Sequence, residues 1–429
     1  MSTGKPRSAL MGNLNFRWLL RGGAISMLGD QLTMIALPWL VLSLTGDPLA
    51  LGLSIALMSI PRAVFILLGG ALVDRHSPKR VLMLSKYANA ALLALLASAL
   101  LLDRHVPLAL LYALAFGLGL AQAFGIPAGT SILPQAVPAE HLQAANGMLM
   151  GLRQLSMLAG PLLAAGVLAL GSGGAGAEPA GLALAFGLDA ASFLLSAWTL
   201  SRVALIAAPA ASTAAPEPVL RAVGAGLRMV WDDQPMRLCF IYWGVVALFI
   251  GGAMQVAVPV LAGALHGAST LGLLMGANGA GTLLGMGIAA KAGDRITLLT
   301  FGSTILAADA LVGLLVMPLG AAGTLWQAVL PMLAIGAVSG YMQIGVFTWI
   351  QRRVAPAMMG RAMSIFMFIF MGLAPLSAAG TGWLLTLISL SQLFVGGGII
   401  LVVFAALAWL LTPMRAITAA PLNDTPQPH

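Results

Sequence analysis

Gly69-Gly70-Ala71-Leu72-Val73-Asp74-Arg75-His76-Ser77-Pro78-Lys79-Arg80 closes one long apolar run, and another opens at once behind it. A pair of small residues, an aspartate and a knot of cations leave no room for a folded loop. Cations are retained on the cytoplasmic side of a bilayer, so the stretch reads as a tight cytoplasmic turn between two membrane helices. The composition agrees. Of 429 residues 60% are hydrophobic and 8% charged, whereas a soluble domain carries about a quarter charged residues. The 51 glycines suit helices that associate in lipid by close backbone approach. Cys239 is the sole cysteine, so no internal disulfide forms. The net charge of +8 is scattered in short clusters between apolar runs rather than spread over one basic face. That pattern favours a membrane surface over nucleic acid. The first apolar run exceeds the roughly 7–15 residues of a signal-peptide core and is expected to stay in the mature protein.

Apolar stretches of about 20 residues, enough to cross a ~30 Å hydrocarbon core, number twelve. They run from Leu19 to Leu44, Leu49 to Val73, Val81 to Leu102, Leu108 to Ile132, Leu142 to Leu170 and Leu182 to Ser201. After a polar interval come Leu238 to Leu261, Leu271 to Ala290, Thr297 to Leu319, Leu325 to Ile350, Ala362 to Ile388 and Leu393 to Leu411. With both termini inside, all but three of the 21 lysines and arginines fall in inner segments, Lys79, Arg80 and Lys86 among them. Arg104 lies outside, and Arg62 and Arg153 lie within spans. A miscounted span would reverse every later loop and erase that bias. Trp18, Trp198, Trp349 and Trp409 stand near span ends, where indole rings anchor at the interface.

The interval 202–237 splits the chain. Residues 207–218 are rich in alanine and proline and read as linker. Leu220, Val223, Leu227 and Val230 then recur at helical spacing with Arg221 and Arg228 among them, an amphipathic helix expected on the cytoplasmic leaflet. The expected organisation is an N-terminal six-helix half (1–201), this linker (202–237), a C-terminal six-helix half (238–412) and a cytoplasmic tail (413–429). The fold class is an all-α membrane protein of twelve transmembrane helices in two pseudo-symmetric halves.

Gly70, Asp74 four residues on, and the cations Arg75, Lys79 and Arg80 resemble the signature loop between helices 2 and 3 of the major facilitator superfamily. That resemblance implies a conformational latch between halves, with Ser77 and Pro78 standing where glycine and arginine are usual. Gly287 to Arg295 is a degenerate copy at the equivalent turn of the second half. The fifth span carries Gly151, Gly160-Pro161 and Gly166 after Ala144-Ala145-Asn146-Gly147, which resembles the exporters of this superfamily. Proline removes a hydrogen bond and kinks the helix, and the glycines are expected to pack it against the opposite half. Asp74-Arg75-His76 with two later cations is similar to the macrolide-efflux branch of the third drug/proton antiporter family, which also holds siderophore exporters. The resemblance implies a monomeric inner-membrane transporter that moves hydrophobic or amphipathic small molecules outward by alternating access. Protons would move inward in exchange, with the proton gradient in place of a cofactor and with membrane lipids as surroundings.

Five ionisable residues remain inside spans, namely Asp30, Arg62, Arg153, Asp189 and Asp309. Each costs about 2.5–3.5 kcal/mol at the bilayer centre, so each should face protein or a water-filled cavity. At 1.5 Å of rise per residue all five fall in one midplane layer. In the family, helices 1, 4, 7 and 10 line the central cavity and helices 3, 6, 9 and 12 lie outside. Asp30 is therefore the expected protonation site, with Arg62 or Arg153 as the neighbouring cation. The alternative is a permanent Asp30–Arg62 ion pair. Asp189 and Asp309 read as buried carboxylates bonded to neighbouring hydroxyls or amides. Gln31, Gln122, Gln255 and Gln343, with Phe116, Phe124, Met254 and Phe347, are candidates for substrate contact or plain packing. The five histidines fall in loops or at the terminus, with no metal-ligand cluster. Neither a phosphate-binding G-x-x-x-x-G-K-[ST] loop nor a G-x-S-x-G nucleophile elbow occurs, which disfavours a primary pump or a hydrolase. Two other functions stay open, export of a dedicated metabolite such as a siderophore and a non-transporting sensor or scaffold with this fold.

Overall fold

The computed structural model describes residues 10–75, 77–102, 106–171, 179–205, 219–265, 267–292, 300–354 and 358–418, with side chains at 66–75 and 219–223 outside that description. Among the described residues no strand occurs, and twelve helices are long and apolar enough to cross a membrane. Spans 1 to 6 are Leu14–Thr45, Pro48–Arg75, Pro78–Leu102, Leu108–Ala136, Leu142–Gly171 and Pro179–Ser201. Span 7 is Gln234–Val246 continued by Ala253–Leu265, and span 8 is Ala268–Ala292. Span 9 is Phe301–Val316 with a tight last turn, span 10 is Leu325–Arg353, span 11 is Met359–Gly372 with Ala374–Leu384, and span 12 is Leu390–Leu411.

Most helices outrun the apolar stretches because polar residues cap them beyond the hydrophobic edge. Asn13 accepts from Phe16 N at 3.1 Å and starts span 1 five residues before its first expected position. Gly46, at φ 62°, ends it in the left-handed conformation that glycine adopts without cost. Ser77 and Pro78, the departures from the family pattern, build the start of span 3. The Ser77 carbonyl accepts from Arg80 N at 2.9 Å and Val81 N at 3.2 Å, and Pro78 sits in the first turn, where its missing N–H is no loss.

Two spans are interrupted. Span 7 widens into a π turn at Ala247–Gly251, and span 11 breaks after Gly372. The breaks meet: Gly252 N donates to Ser377 Oγ at 3.1 Å, and Gly252 lies on the Ala374 carbonyl where a Cβ would collide. A backbone group freed by the break is thus bonded within protein, as a lipid environment requires.

The helices cluster into two compact units, Met1–Thr213 with Ala262–Gly276, and Ala214–Leu261 with Ala277–His429. In the first, span 2 lies against span 4, span 3 against spans 4 and 6, and span 1 against spans 5 and 6. In the second, span 9 packs on span 12. Spans 8 and 10 interlock through two G-x-x-x-G pairs, Gly281 and Gly285 on the Leu333 and Ala337 carbonyls, Gly336 and Gly340 on those of Asn278 and Thr282. An aromatic core of Phe240, Trp243, Trp349 and Phe366 fills the end of the unit where span 7 begins and span 10 ends. Trp349 departs from the expected interfacial role. It is 2% exposed, stacks on Phe301 at 4.9 Å and donates Nε1 to the Thr418 carbonyl at 3.2 Å. Arg353 closes span 10 on Asp233, the cap of span 7, through Nε at 2.8 and 3.1 Å.

Both units fasten the chain where it leaves their sixth helix. After span 6, Lys79 Nζ donates to the Ser201 and Val203 carbonyls at 2.9 and 2.7 Å, and Asn15 clamps Ala204 with two hydrogen bonds. After span 12, Gly302 N donates to Ile417 O at 3.0 Å, and Ser303 and Thr300 hydroxyls donate to Arg415 O. The connector forms the expected helix, Val219–Asp232. Val230 is buried in the aromatic core and Gly226 lies against the Arg361 stem and Ile365 of span 11, while Leu227 and Trp231 are exposed. Leu220 and Val223 fall outside the described side chains.

Candidate functional site

The expected charged layer exists in the first unit, with different neighbours from those anticipated. Asp30 stands at the middle of the 32-residue span 1 and is exposed. Its charged neighbours are Lys86 on span 3, Arg62 on span 2 and Asp189 on span 6. No direct ion pair closes between Asp30 and Arg62 among the described residues. Arg62 instead donates Nη1 to Gln122 Oε1 at 3.1 Å and Nη2 to Ser59 Oγ at 3.4 Å, which ties span 2 to span 4. Arg153 is exposed on span 5, and no hydrogen bond or ion pair joins it to Asp30 among the described residues.

Lys86 is the residue that the sequence misplaces. Hydropathy groups it with the cytoplasmic cations, yet it lies about 12 Å inside span 3 from Pro78. Its ammonium donates to Ser26 Oγ at 3.3 Å and lies 5.6 Å from the centre of the Phe193 ring, so it reaches across the interior instead of snorkelling to the headgroups. A lysine five residues inside a hydropathy edge carries no mark of which way it points. Its position on the same helical face as Lys79, seven residues earlier, could have raised the question.

Asp189 is 1% exposed and accepts hydrogen bonds from Thr33 Oγ1 and, at 3.0 Å, from Ser192 Oγ. Span 6 comes this close to span 1 because Gly29 faces Asp189 and Ser192, and Gly22 faces Ser196 and Thr199, with no side chain between. Ser196 Oγ adds a bond to the Gly22 carbonyl at 2.8 Å. The result is a polar seam between spans 1 and 6, with Asp30 one turn from Thr33 and Lys86 entering from span 3. Asp309, in the second unit, faces the buried Tyr242 hydroxyl.

The other expected site residues separate into two kinds. Gln31 is engaged in packing: its stem lies on Gly160, so the glycine before Pro161 accommodates span 1. The Pro161 carbonyl and Ala165 are met in turn by Gly272, at the start of span 8 and in the same compact unit. Phe124 packs on Val81 and Ala128, and Phe347 joins the aromatic core 5.5 Å from Phe366. Met254 lines an apolar crevice of about 180 Å³ in the second unit with Phe249, Thr381 and Leu401. Phe116, Gln255 and Gln343 are exposed. Of the expected latch, Lys79 is spent on the span 6 carbonyls of its own unit and Arg80 is exposed. The Gly70, Asp74 and Arg75 side chains lie outside the described residues. The described residues hold no cluster of three or more metal-ligating side chains.

Twelve helices long and apolar enough to cross a membrane, in two compact units, with ionisable side chains inside the helices bonded to neighbouring hydroxyls and amides, define a multi-pass membrane protein built for transport. Residues 19–379 match the Major Facilitator Superfamily, and the chain belongs to that family. It is 28% identical over 415 residues to the MFS-type transporter y4rN of Sinorhizobium fredii, covering 94% of this chain and 96% of that protein. It is 27% identical over 360 residues to the enterobactin exporter EntS of Escherichia coli, covering 81% and 79%. Among solved structures a point mutant of the nucleoside transporter NupG superposes with a TM-score of 0.71 at 14% identity, covering 93% of this chain and 99% of NupG. A bacterial homologue of the iron transporter ferroportin gives 0.70 at 16%, covering 91% and 98%. At these identities the two structures speak for the fold alone.

Proposed function

We propose that this chain is a proton-coupled exporter of hydrophobic or amphipathic small molecules, resident in the inner membrane with both termini cytoplasmic and working as a monomer by alternating access. The observation that carries the reading is Asp30, a carboxylate halfway along span 1 that has Lys86 and Arg62 near it and, among the described residues, no ion pair with either. A carboxylate locked in an ion pair has no reason to change protonation; one whose cations are held elsewhere, Arg62 by Gln122 and Lys86 by Ser26, is free to take and release a proton. The proton gradient is the sole energy source in this reading. Asp189, saturated by Thr33 and Ser192, holds the seam in register and does not cycle.

The test is Asp30→Asn in everted vesicles. The variant should reach the membrane at wild-type level and lose substrate-dependent proton movement. Undiminished coupled transport would remove Asp30 from the mechanism. A second reading, export of a dedicated iron-chelating metabolite, is favoured by the EntS relatives. A growth-inhibition panel of drugs beside a siderophore-release assay, each in a host lacking its own pumps, separates the two. A sensor or scaffold would show substrate binding without proton flux in either.

A further inference from the structure

At the cytoplasmic end of spans 1 and 6, four side chains form a continuous stack. The Arg21 guanidinium lies 5.5 Å from the Trp18 ring centre, Trp18 meets Trp198 edge to face at 5.5 Å, and the Arg202 guanidinium lies 5.3 Å from the Trp198 ring. Both arginines are exposed, and among the described residues neither has a carboxylate partner. A guanidinium held over an indole by cation–π attraction uses none of its N–H donors in that contact, so the cluster presents two cations without a carboxylate partner where the chain leaves span 6. The platform is rigid. Ser196 bonds the Gly22 carbonyl just inside it, and Lys79 and Asn15 pin the chain just beyond Arg202.

What continues from the stack into the membrane is apolar. Leu195, Leu188 and Leu184 lie on the Trp198 and Arg202 side of span 6 at helical spacing, each more than two-fifths exposed. A phosphate taken by the arginines would therefore have an aliphatic track directly behind it. The contrast within the chain is Arg237, which also covers an indole, that of Trp231, but already donates Nη1 to the Trp231 carbonyl at 2.7 Å.

From this juxtaposition we infer that Arg21, Trp18, Trp198 and Arg202 form a binding site for an anionic phospholipid of the inner leaflet. The phosphate sits on the guanidinium edges, the glycerol rests on the Trp198 ring, and an acyl chain follows Leu195 toward Leu184. Anionic headgroups are attracted by about fivefold per basic residue at the surface, and a preorganised pair makes that attraction local.

Native mass spectrometry of the full-length protein in detergent, titrated separately with phosphatidylglycerol, cardiolipin and phosphatidylcholine, tests it. Wild type should retain the two anionic lipids over phosphatidylcholine. The double substitution Arg21→Ala, Arg202→Ala should lower that retention by about fivefold for each arginine removed. Arg237→Ala should change nothing. Because the alanine protein could be unstable, Arg21→Lys with Arg202→Lys is measured beside it; this variant keeps the charge and loses the planar, many-donor guanidinium, and should fall between the two. Unchanged anionic-lipid retention in both double variants overturns the site. So does equal binding of phosphatidylcholine, or full displacement of lipid by millimolar inorganic phosphate, which would mark a phosphate site without a lipid track.

Discussion

Replacing Asp233 by alanine should strongly destabilise the second unit at the start of span 7. The carboxylate does two jobs. It accepts from Met236 N at 3.1 Å as the cap of span 7, and it takes both Arg353 Nε contacts at 2.8 and 3.1 Å. The two side chains are 15% and 14% exposed, so water screens the pair little. Removing one member of a buried pair costs about 3–5 kcal/mol, because the other charge is left without a partner. Losing a cap costs about 1 kcal/mol more. Asp233→Ala is therefore expected to lose about 4–6 kcal/mol, and Asp233→Asn, which keeps an acceptor for Met236 N, about 1 kcal/mol less. Arg353 also covers the Trp349 ring at 5.6 Å, so Arg353→Gln removes packing together with charge. In thermal unfolding of the purified protein in detergent, Asp233→Ala should melt roughly 10 °C below wild type. The double variant Asp233→Asn, Arg353→Gln should melt well above the sum of the two single losses, because neither charge is then stranded. A shift under about 2 °C for Asp233→Ala, or strictly additive losses, would refute the reasoning.

Four further outcomes follow from neighbouring contacts. Tyr242→Phe should lower the melting temperature, since the hydroxyl it removes faces the Asp309 carboxyl; an unchanged or raised value would mean the two groups do not interact. Thr33→Val should cost about 1.5–3 kcal/mol in the same assay, because it strips one of two bonds from a buried carboxylate. Gly336→Val should prevent recovery of folded protein in a size-exclusion assay, its Cβ landing on the Asn278 carbonyl, while Gly380→Val, at a glycine with open space beside it, should be recovered normally. Lys86→Ala should lower substrate-dependent proton movement in vesicles more than it lowers the folded yield, whereas Lys86→Gln, which can still bond Ser26, should keep the yield closer to wild type.

The twelve spans were legible because bilayer thickness sets a length that a hydropathy count measures directly, and the ends were off by the few residues that Asn13 and Ser77 add as caps. Partners within the layer were not legible. A helix apolar on every side gives no period from which to read its rotation, so Asp30 could be assigned Arg62 or Arg153 with equal reason, while the groups beside it are Lys86, Arg62 and Asp189. The same blindness placed Trp349 at an interface when its ring is stacked on Phe301 and its N–H points at Thr418. The breaks in spans 7 and 11 left only weak signs, Gly251-Gly252 and Pro375, in stretches apolar enough to read as unbroken. What the glycines do did follow from composition in kind, though the pairing of Gly281 and Gly285 with Gly336 and Gly340 required the two helices side by side.

The fastening of residues 415–418 onto the start of span 9 and the end of span 10 has a practical side for anyone handling the protein. A reporter or affinity tag spliced directly after Leu411 would tear away the Arg415 and Ile417 carbonyls from Thr300, Gly302 and Ser303 and strand the Trp349 indole. Fusion junctions placed beyond Thr418 leave these stitches in place.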